Sequence, residues 1–165
     1  MSGITIRPEL PGDVAGVRDV LRAAFQGEAE AKLVDELRAG DEVALSLVAV
    51  DAKDKVVGYV AFPRLLVDEI PCIGLAPLAV ALGYQRRGVG EALIMRGMLA
   101  LKQRGEKLVF VLGDPAYYRR FGFDPQTAAA FLSVYAGPYF MAYRLTADAP
   151  TSGTVHYPPA FARLG

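Results

Sequence analysis

The sequence predicts an α/β domain of the α+β kind, with one mixed, mostly antiparallel sheet of roughly six to seven strands and about four flanking helices. Three observations lead there. Short apolar runs bounded by Pro, Gly and Asp recur along the chain, as strands and turns require. Two stretches near the N-terminus and one in the middle repeat their apolar residues every three to four positions, as amphipathic helices do. Residues 72–80, 88–104 and 108–112 read as strand, long helix and strand. That order makes a parallel crossover, and the sheet is expected to splay at this one parallel pair.

In chain order, Ile4 and Ile6 alternate with Thr5 and Arg7 until Pro8 stops the run, so residues 4–7 form a short strand. Pro11-Gly12-Asp13 offers a turn and an N-cap, and apolar residues at 14, 17, 20, 21, 24 and 25 line one helix face. Gly27 breaks it. A second helix over 28–38 turns Ala31, Val34 and Leu37 inward, and Gly40 ends it. Residues 46–50 and 56–66 are strands of a hairpin around the polar turn 51–55, the second bent near Pro63. Asp68-Glu69 is another turn, and Pro71 starts the run 72–80. Pro77 interrupts that run; proline cannot donate to a ladder, so the strand is distorted or splayed there.

Residues 88–104 are the clearest helix. Val89, Leu93, Gly97, Met98 and Leu101 form its stripe, Ile94, Met95 and Leu99 widen it, and Gly105 stops it. The wholly apolar Leu108–Leu112 suits a buried central strand. After the turn Gly113-Asp114-Pro115, residues 116–120 make a short helix. Residues 131–135 and 139–145 read as two strands around Gly137-Pro138, and 153–157 as one more within a loop-rich end. The organisation expected is one domain over 1–145, with a tail over 146–165 packed on it.

Composition narrows the function. Of 165 residues, 53% are hydrophobic and 22% charged, enough to bury a core. Lys+Arg and Asp+Glu both number 18, and without a basic excess nucleic acid is not an expected partner. One cysteine, Cys72, allows no internal disulfide; with one histidine, His156, it makes no metal cluster, and no metal is expected. Cys72 reads as a buried strand residue and His156 as incidental. No apolar stretch approaches the roughly 18 residues of a membrane span. The N-terminus lacks a secretory core. The expectation is a cytoplasmic protein, monomer or homodimer, without a membrane partner.

The chemistry concentrates in Leu78–Glu91. An apolar run ends, a turn with two arginines follows, and Gly88 and Gly90 open the long helix. The first N–H groups of a helix lack partners and can face an anion, glycine admits close approach, and arginine adds forked donors. A P-loop would need Lys-Ser or Lys-Thr, which the chain lacks, and a dinucleotide fingerprint would need a third glycine where Leu93 stands. Gln85-Arg86-Arg87-Gly88-Val89-Gly90 fits the pattern Gln/Arg-x-x-Gly-x-Gly/Ala, and so does the register from Arg87 to Ala92. So short a pattern also recurs by chance, at a helix entrance that binds nothing.

With these residues in place, the chain resembles the GNAT superfamily of acyl-CoA-dependent N-acetyltransferases. Residues 75–80 and 85–90 resemble its acetyl-CoA strand and pyrophosphate loop. Residues 113–123, in which Tyr118 precedes Gly122-Phe123, resemble a later segment of the family. The wording resembles a branch whose acceptors are undefined; where the family often has Pro-Glu, this chain has Leu82-Gly83. The resemblance implies acetyl-CoA as co-substrate and an amine, small molecule or protein, as acceptor. It puts Leu78, Ala79, Val80, Gln85, Arg86, Arg87, Gly88, Val89 and Gly90 in the cofactor site, with Asp114, Tyr117, Tyr118 and Phe121 beside them. Backbone groups of residues 78–80 would bond the pantetheine arm, with the Val80 N–H facing the thioester oxygen. Tyr118 would be the general acid for direct transfer in a ternary complex; on its own it reads as core or lid packing, as Phe121 and Phe123 do, and the resemblance reverses that reading for Tyr118. For the general base, Glu28, Glu30, Asp68, Glu69, Asp114 and a water relayed to a backbone carbonyl remain open. The alternative is a non-catalytic acyl-CoA-binding or sensing module with the same fold.

Overall fold

In the computed structural model, which describes residues 3–164, the chain begins at the edge of the sheet. β1 (Thr5–Pro8) leads into α1 (Val14–Phe25) and α2 (Ala29–Ala39), and the chain returns beside β1 as β2 (Val43–Val50). The periodic residues of both helices face one side of the sheet: Val17, Val20, Leu21, Ala31 and Val34 are buried against Val48, Val50, Val56 and Tyr59. β3 (Val56–Val67) runs antiparallel to β2 after a turn that Asp51 holds, its carboxylate accepting from the N–H groups of Lys53 and Lys55 at 2.9 Å each.

β3 is buried over most of its length and is the central strand. Its other edge carries two strands in line, β4 (Ile70–Gly74) opposite residues 64–67 and β5 (Leu78–Val80) opposite residues 58–60. The single strand expected over 72–80 is therefore two. Pro77 falls between them and has no N–H to give. The Pro77 carbonyl still accepts from the Ala61 N–H (3.1 Å) and the Ala76 N–H donates to the Ala61 carbonyl (3.0 Å), so β3 stays paired through the break.

α3 (Val89–Gln103) crosses the sheet to β6 (Leu108–Leu112), which runs parallel to β4 through Ile73–Val109 and Gly74–Phe110. Past the bond from the Leu75 N–H to the Phe110 carbonyl (2.9 Å) the strands part, and β5 and β6 share no ladder. α3 lies flat on β3 at Gly97, where a Cβ would stand 2.3 Å from the Phe62 ring. Alanine would improve helix propensity by roughly 1 kcal/mol, but overpacking a filled core costs about 1–3 kcal/mol, so the contact decides for glycine. Met95 and Leu99, expected to widen the inward stripe, are 58% and 53% exposed. They lie one turn apart on the outer side, and a helix flat on a sheet buries one face.

α4 (Pro115–Tyr118), a 3-10 turn and α5 (Pro125–Ala128) lead to β7 (Phe131–Leu132) and β8 (Phe140–Arg144). The first of the two strands expected around Gly137-Pro138 is shorter than the 131–135 run, and the two do not pair with each other. β8 pairs antiparallel with β6, while β7 pairs in parallel with β9 (Gly153–His156), itself antiparallel to the end of β3. The Phe131 ring meets Phe110 edge-on at 5.0 Å and is buried with it and Phe140, which anchors this segment beside β9. Among the described residues the sheet thus has nine short strands, because β4 and β5 split and β7 and β9 form their own ladder. The chain closes in a 3-10 turn, Pro159–Arg163, whose Ala160 and Phe161 are buried against Leu33 and Leu37 of α2. Among the described residues no helix is long and apolar enough to cross a membrane.

Candidate active site

Where β5 and β6 diverge, the sheet is split, and the N-terminus of α3 faces the split. A cleft of about 420 Å³ lies there, walled by Leu78 and Val80, floored by the turn 84–90 and closed by Tyr117 and Arg120. The ladder fixes which backbone groups face it. Tyr59 pairs with Ala79, and the Ala81 N–H bonds the Val57 carbonyl (2.8 Å). Antiparallel groups alternate in direction, so Ala79 directs its N–H and C=O to β3, and Leu78 and Val80 direct theirs to the split. The Gln85 side-chain amide donates to the Val80 carbonyl at 3.1 Å, which confirms the direction of that carbonyl.

The helix entrance is open by construction. Gly88 is the N-cap with φ +79°, a conformation a side chain resists, and no side chain caps the helix. The first bond runs from the Ala92 N–H to the Gly88 carbonyl (3.0 Å), leaving the N–H groups of Val89, Gly90 and Glu91 without helical partners. Arg86, itself at φ +64°, lines the cleft. Arg87 does not; its guanidinium lies over the Tyr84 ring at 5.5 Å.

Of the two adjacent tyrosines, Tyr117 lines the cleft and Tyr118 packs behind it. Tyr117 reaches over the helix entrance, its hydroxyl 2.9 Å from where a Cβ on Gly90 would stand. Tyr118 stays with β6: its ring lies on Gly113, whose Cβ would come within 2.5 Å of it, and it meets Tyr117 edge-on at 5.0 Å. Burial, with a smaller contribution from Tyr117, pushes the Tyr118 phenol up to about 12, so it keeps its proton at neutral pH. Asp114 sits outside the cleft and holds the backbone N–H groups of the turn that carries both tyrosines. Its carboxylate caps α4 through the Ala116 N–H (3.0 Å), and its carbonyl accepts from Tyr117 and Tyr118 (3.0 Å each). Phe121 packs on Tyr117 at 5.3 Å, outside the cleft.

Of the carboxylates named from sequence, Glu28 pairs with Arg22 and Asp68 binds the Thr154 N–H of β9; neither lines the cleft, nor do Glu30, Glu69 and Asp114. Three lining residues escaped the sequence reading: Tyr84, Glu91 and Arg120. Arg120 places its guanidinium over the Tyr117 ring at 4.8 Å. Its signal was its spacing, three residues after Tyr117 in a helical turn, which puts both on one side.

A split sheet with an uncapped helix start and arginines at its mouth is the architecture of proteins that take a long, phosphate-bearing ligand between two strands. Comparison with known proteins gives that class its family. The acetyltransferase (GNAT) domain matches residues 5–126. The uncharacterized N-acetyltransferase YhbS of Escherichia coli is 38% identical over 165 residues, covering 96% of this chain and 99% of that protein. The crystal structure of YhbS in complex with CoA superposes with TM-score 0.93 at 38% identity, covering 99% of this chain and 94% of that one. A GNAT family acetyltransferase from Brucella melitensis in complex with acetyl-CoA superposes with TM-score 0.83 at 34% identity, covering 98% and 99%. The chain belongs to the GNAT acetyltransferase family.

Proposed function

We propose that the protein moves an acetyl group from acetyl-CoA to a primary amine by direct transfer while both are bound. The observation that carries this reading is the pair of outward backbone edges, Leu78 and Val80 on β5 and the free N–H groups of Val89, Gly90 and Glu91, meeting in one cleft. The cleft suits the donor chemically. The helix entrance and Arg86 would hold the pyrophosphate, with Arg120 beside it, and the Leu78 and Val80 groups would pair with the amides of the pantetheine arm. The complexes of YhbS with CoA and of the Brucella protein with acetyl-CoA support the choice of ligand.

The donor supplies an activated acetyl thioester. A ligand anchored at the helix entrance and running along β5 brings its far end to the vertex of the split. Leu78 is nearer that vertex than Val80, whose carbonyl already meets Gln85 beside the entrance. The Leu78 N–H is therefore the better placed to bond the thioester oxygen, in place of the Val80 N–H expected from sequence. Tyr118, on the β6 side and protonated, is the group to supply a proton to the leaving sulfur. Gly113 and Asp114 act on it by position, through ring contact and helix cap.

Isothermal titration with acetyl-CoA tests the donor site. Micromolar binding is expected, and none at high micromolar concentration would remove the reading. Binding with no thiol release across a broad amine panel would leave a sensing module.

A further inference from the structure

We infer that the acceptor is a primary amine carried on a compact, uncharged apolar group, and that this group seats in a hollow on the far side of the split. The inference deepens the proposed function and rests on it.

Position comes first. Along β6, Val109 and Val111 face α3, so Phe110 and Leu112 face the opposite side of the sheet. A hollow of about 150 Å³ lies against them there, bounded by Gly74 and Ala76 where β4 ends and closed by Tyr135 and Tyr157. It therefore borders the vertex at which β4 and β6 part, from the side away from the donor cleft. A nucleophile entering from the α3 side would compete with the donor for the same space. One seated in the hollow meets the vertex without crossing it.

The lining sets the chemistry. Among the described residues no charged side chain borders the hollow; the polar side-chain groups are the hydroxyls of Tyr135 and Tyr157. The two rings meet edge-to-face at 4.8 Å, and Phe161 meets Tyr157 edge-on at 5.1 Å. Burial pushes both phenols up, so they are neutral and offer no countercharge. A second ammonium or a carboxylate on the acceptor would lose its water here without a partner. An apolar cavity of roughly 150 Å³ accommodates a benzene-sized group. The same loss of water lowers the pKa of the acceptor's amine, favouring the neutral, attacking form where no carboxylate is present to take a proton.

The step balances on these terms. The nitrogen lone pair forms the C–N bond to the acetyl carbon, and the C–S bond breaks with its electron pair left on sulfur. The nitrogen releases one proton to water, and the sulfur takes one from Tyr118, which water restores.

The test is a two-stage measurement on the whole chain: acetyl-CoA affinity by calorimetry, then CoA release with benzylamine and 2-phenylethylamine against spermidine, an aminoglycoside, glycine and a lysine peptide. The arylalkylamines should show kcat/KM at least about tenfold above the charged acceptors, the size of effect a mismatched pocket gives. Leu112 stands half-exposed at the rim, 50% accessible, so Leu112→Trp narrows the mouth without entering the core. It should raise KM for the arylalkylamines about tenfold and leave acetyl-CoA affinity unchanged. Acetyl-CoA binding with preference for a charged acceptor, or with no release on any apolar amine, overturns the inference and leaves the donor site standing. Failure to bind acetyl-CoA removes both. The amine panel decides on the wild-type protein even where the variant does not fold.

Discussion

The two sides of the split are made of opposite materials. On the α3 side charged side chains, glycines and open peptide groups stand among the apolar ones, around a cleft of about 420 Å³. On the far side they are aromatic and aliphatic, around about 150 Å³. Every residue lining the first comes from two stretches, 78–91 and 117–120, whereas the second draws on β3, β4, β6, the approach to β8 and the C-terminal segment. The difference follows from how each side recognises its ligand. Binding by backbone groups needs a strand edge and a helix start held in fixed relation, and a short run of sequence supplies both. Binding by shape needs a surface of the right size, which any segments reaching the place can furnish. A family can keep the first and vary the second.

Substitutions that separate chemistry, donor and acceptor test this division. The largest effect is expected of Tyr118→Phe. Loss of a general acid costs about 100-fold in kcat, with acetyl-CoA affinity within about twofold, since Tyr118 does not line the cleft at the helix entrance. Because burial raises the Tyr118 phenol to about 12, its proton is retained through the range where an ordinary phenol near 10 would lose it. The wild-type rate should therefore show no alkaline decline from this group until well above pH 10. A decline near pH 10 that vanishes in the variant would mean an unburied acid. Equal kcat in the variant would take Tyr118 out of the acid role.

Gly88→Val comes next and acts on the donor side alone. Valine at φ +79° costs roughly 1–2 kcal/mol and sets a branched side chain at the helix entrance. Acetyl-CoA binding should weaken about tenfold or more, while KM for the acceptor at saturating donor stays near its original value. An equal loss in both would mean that the two sides are not separately built.

How much was legible in the sequence follows the same line. Gln85 to Gly90 declared the donor side because its function depends on consecutive backbone groups and on glycines at set positions. Pro77 declared the break in the strand, since a residue without an N–H must interrupt a ladder. Which groups that break exposes could not be read: Ala79 turns to β3 and Arg87 to Tyr84, and only ladder register and ring contact decide this. The strand pairing of β7 was equally hidden. Phe131 is buried against Phe110, a contact between residues far apart in sequence. Tyr135, Tyr157 and Phe161 gave no sign of the hollow for the same reason; each looks like a loop aromatic until the chain is folded.

The smallest effect should come from Glu91→Gln, and it bears most directly on the contrast between the two sides. Glu91 stands in the first turn of α3, where a carboxylate favours the positive end of the helix by about 0.3–1 kcal/mol. It also lines the cleft into which the phosphates are proposed to come, and there the same charge repels them. Removing it sets the two effects apart. The protein should lose a few tenths of a kcal/mol in stability, while acetyl-CoA should bind about two- to threefold more tightly at low salt. The gain should fade as ionic strength rises, because Glu91 is exposed and its field is screened beyond about 10 Å at 0.1 M. Weaker binding in the variant would mean that Glu91 orders the cleft rather than opposing its ligand. On the far side the same substitution and the same salt should leave the acceptor KM unmoved, since an uncharged group in an uncharged hollow has nothing for the field of Glu91 to act upon.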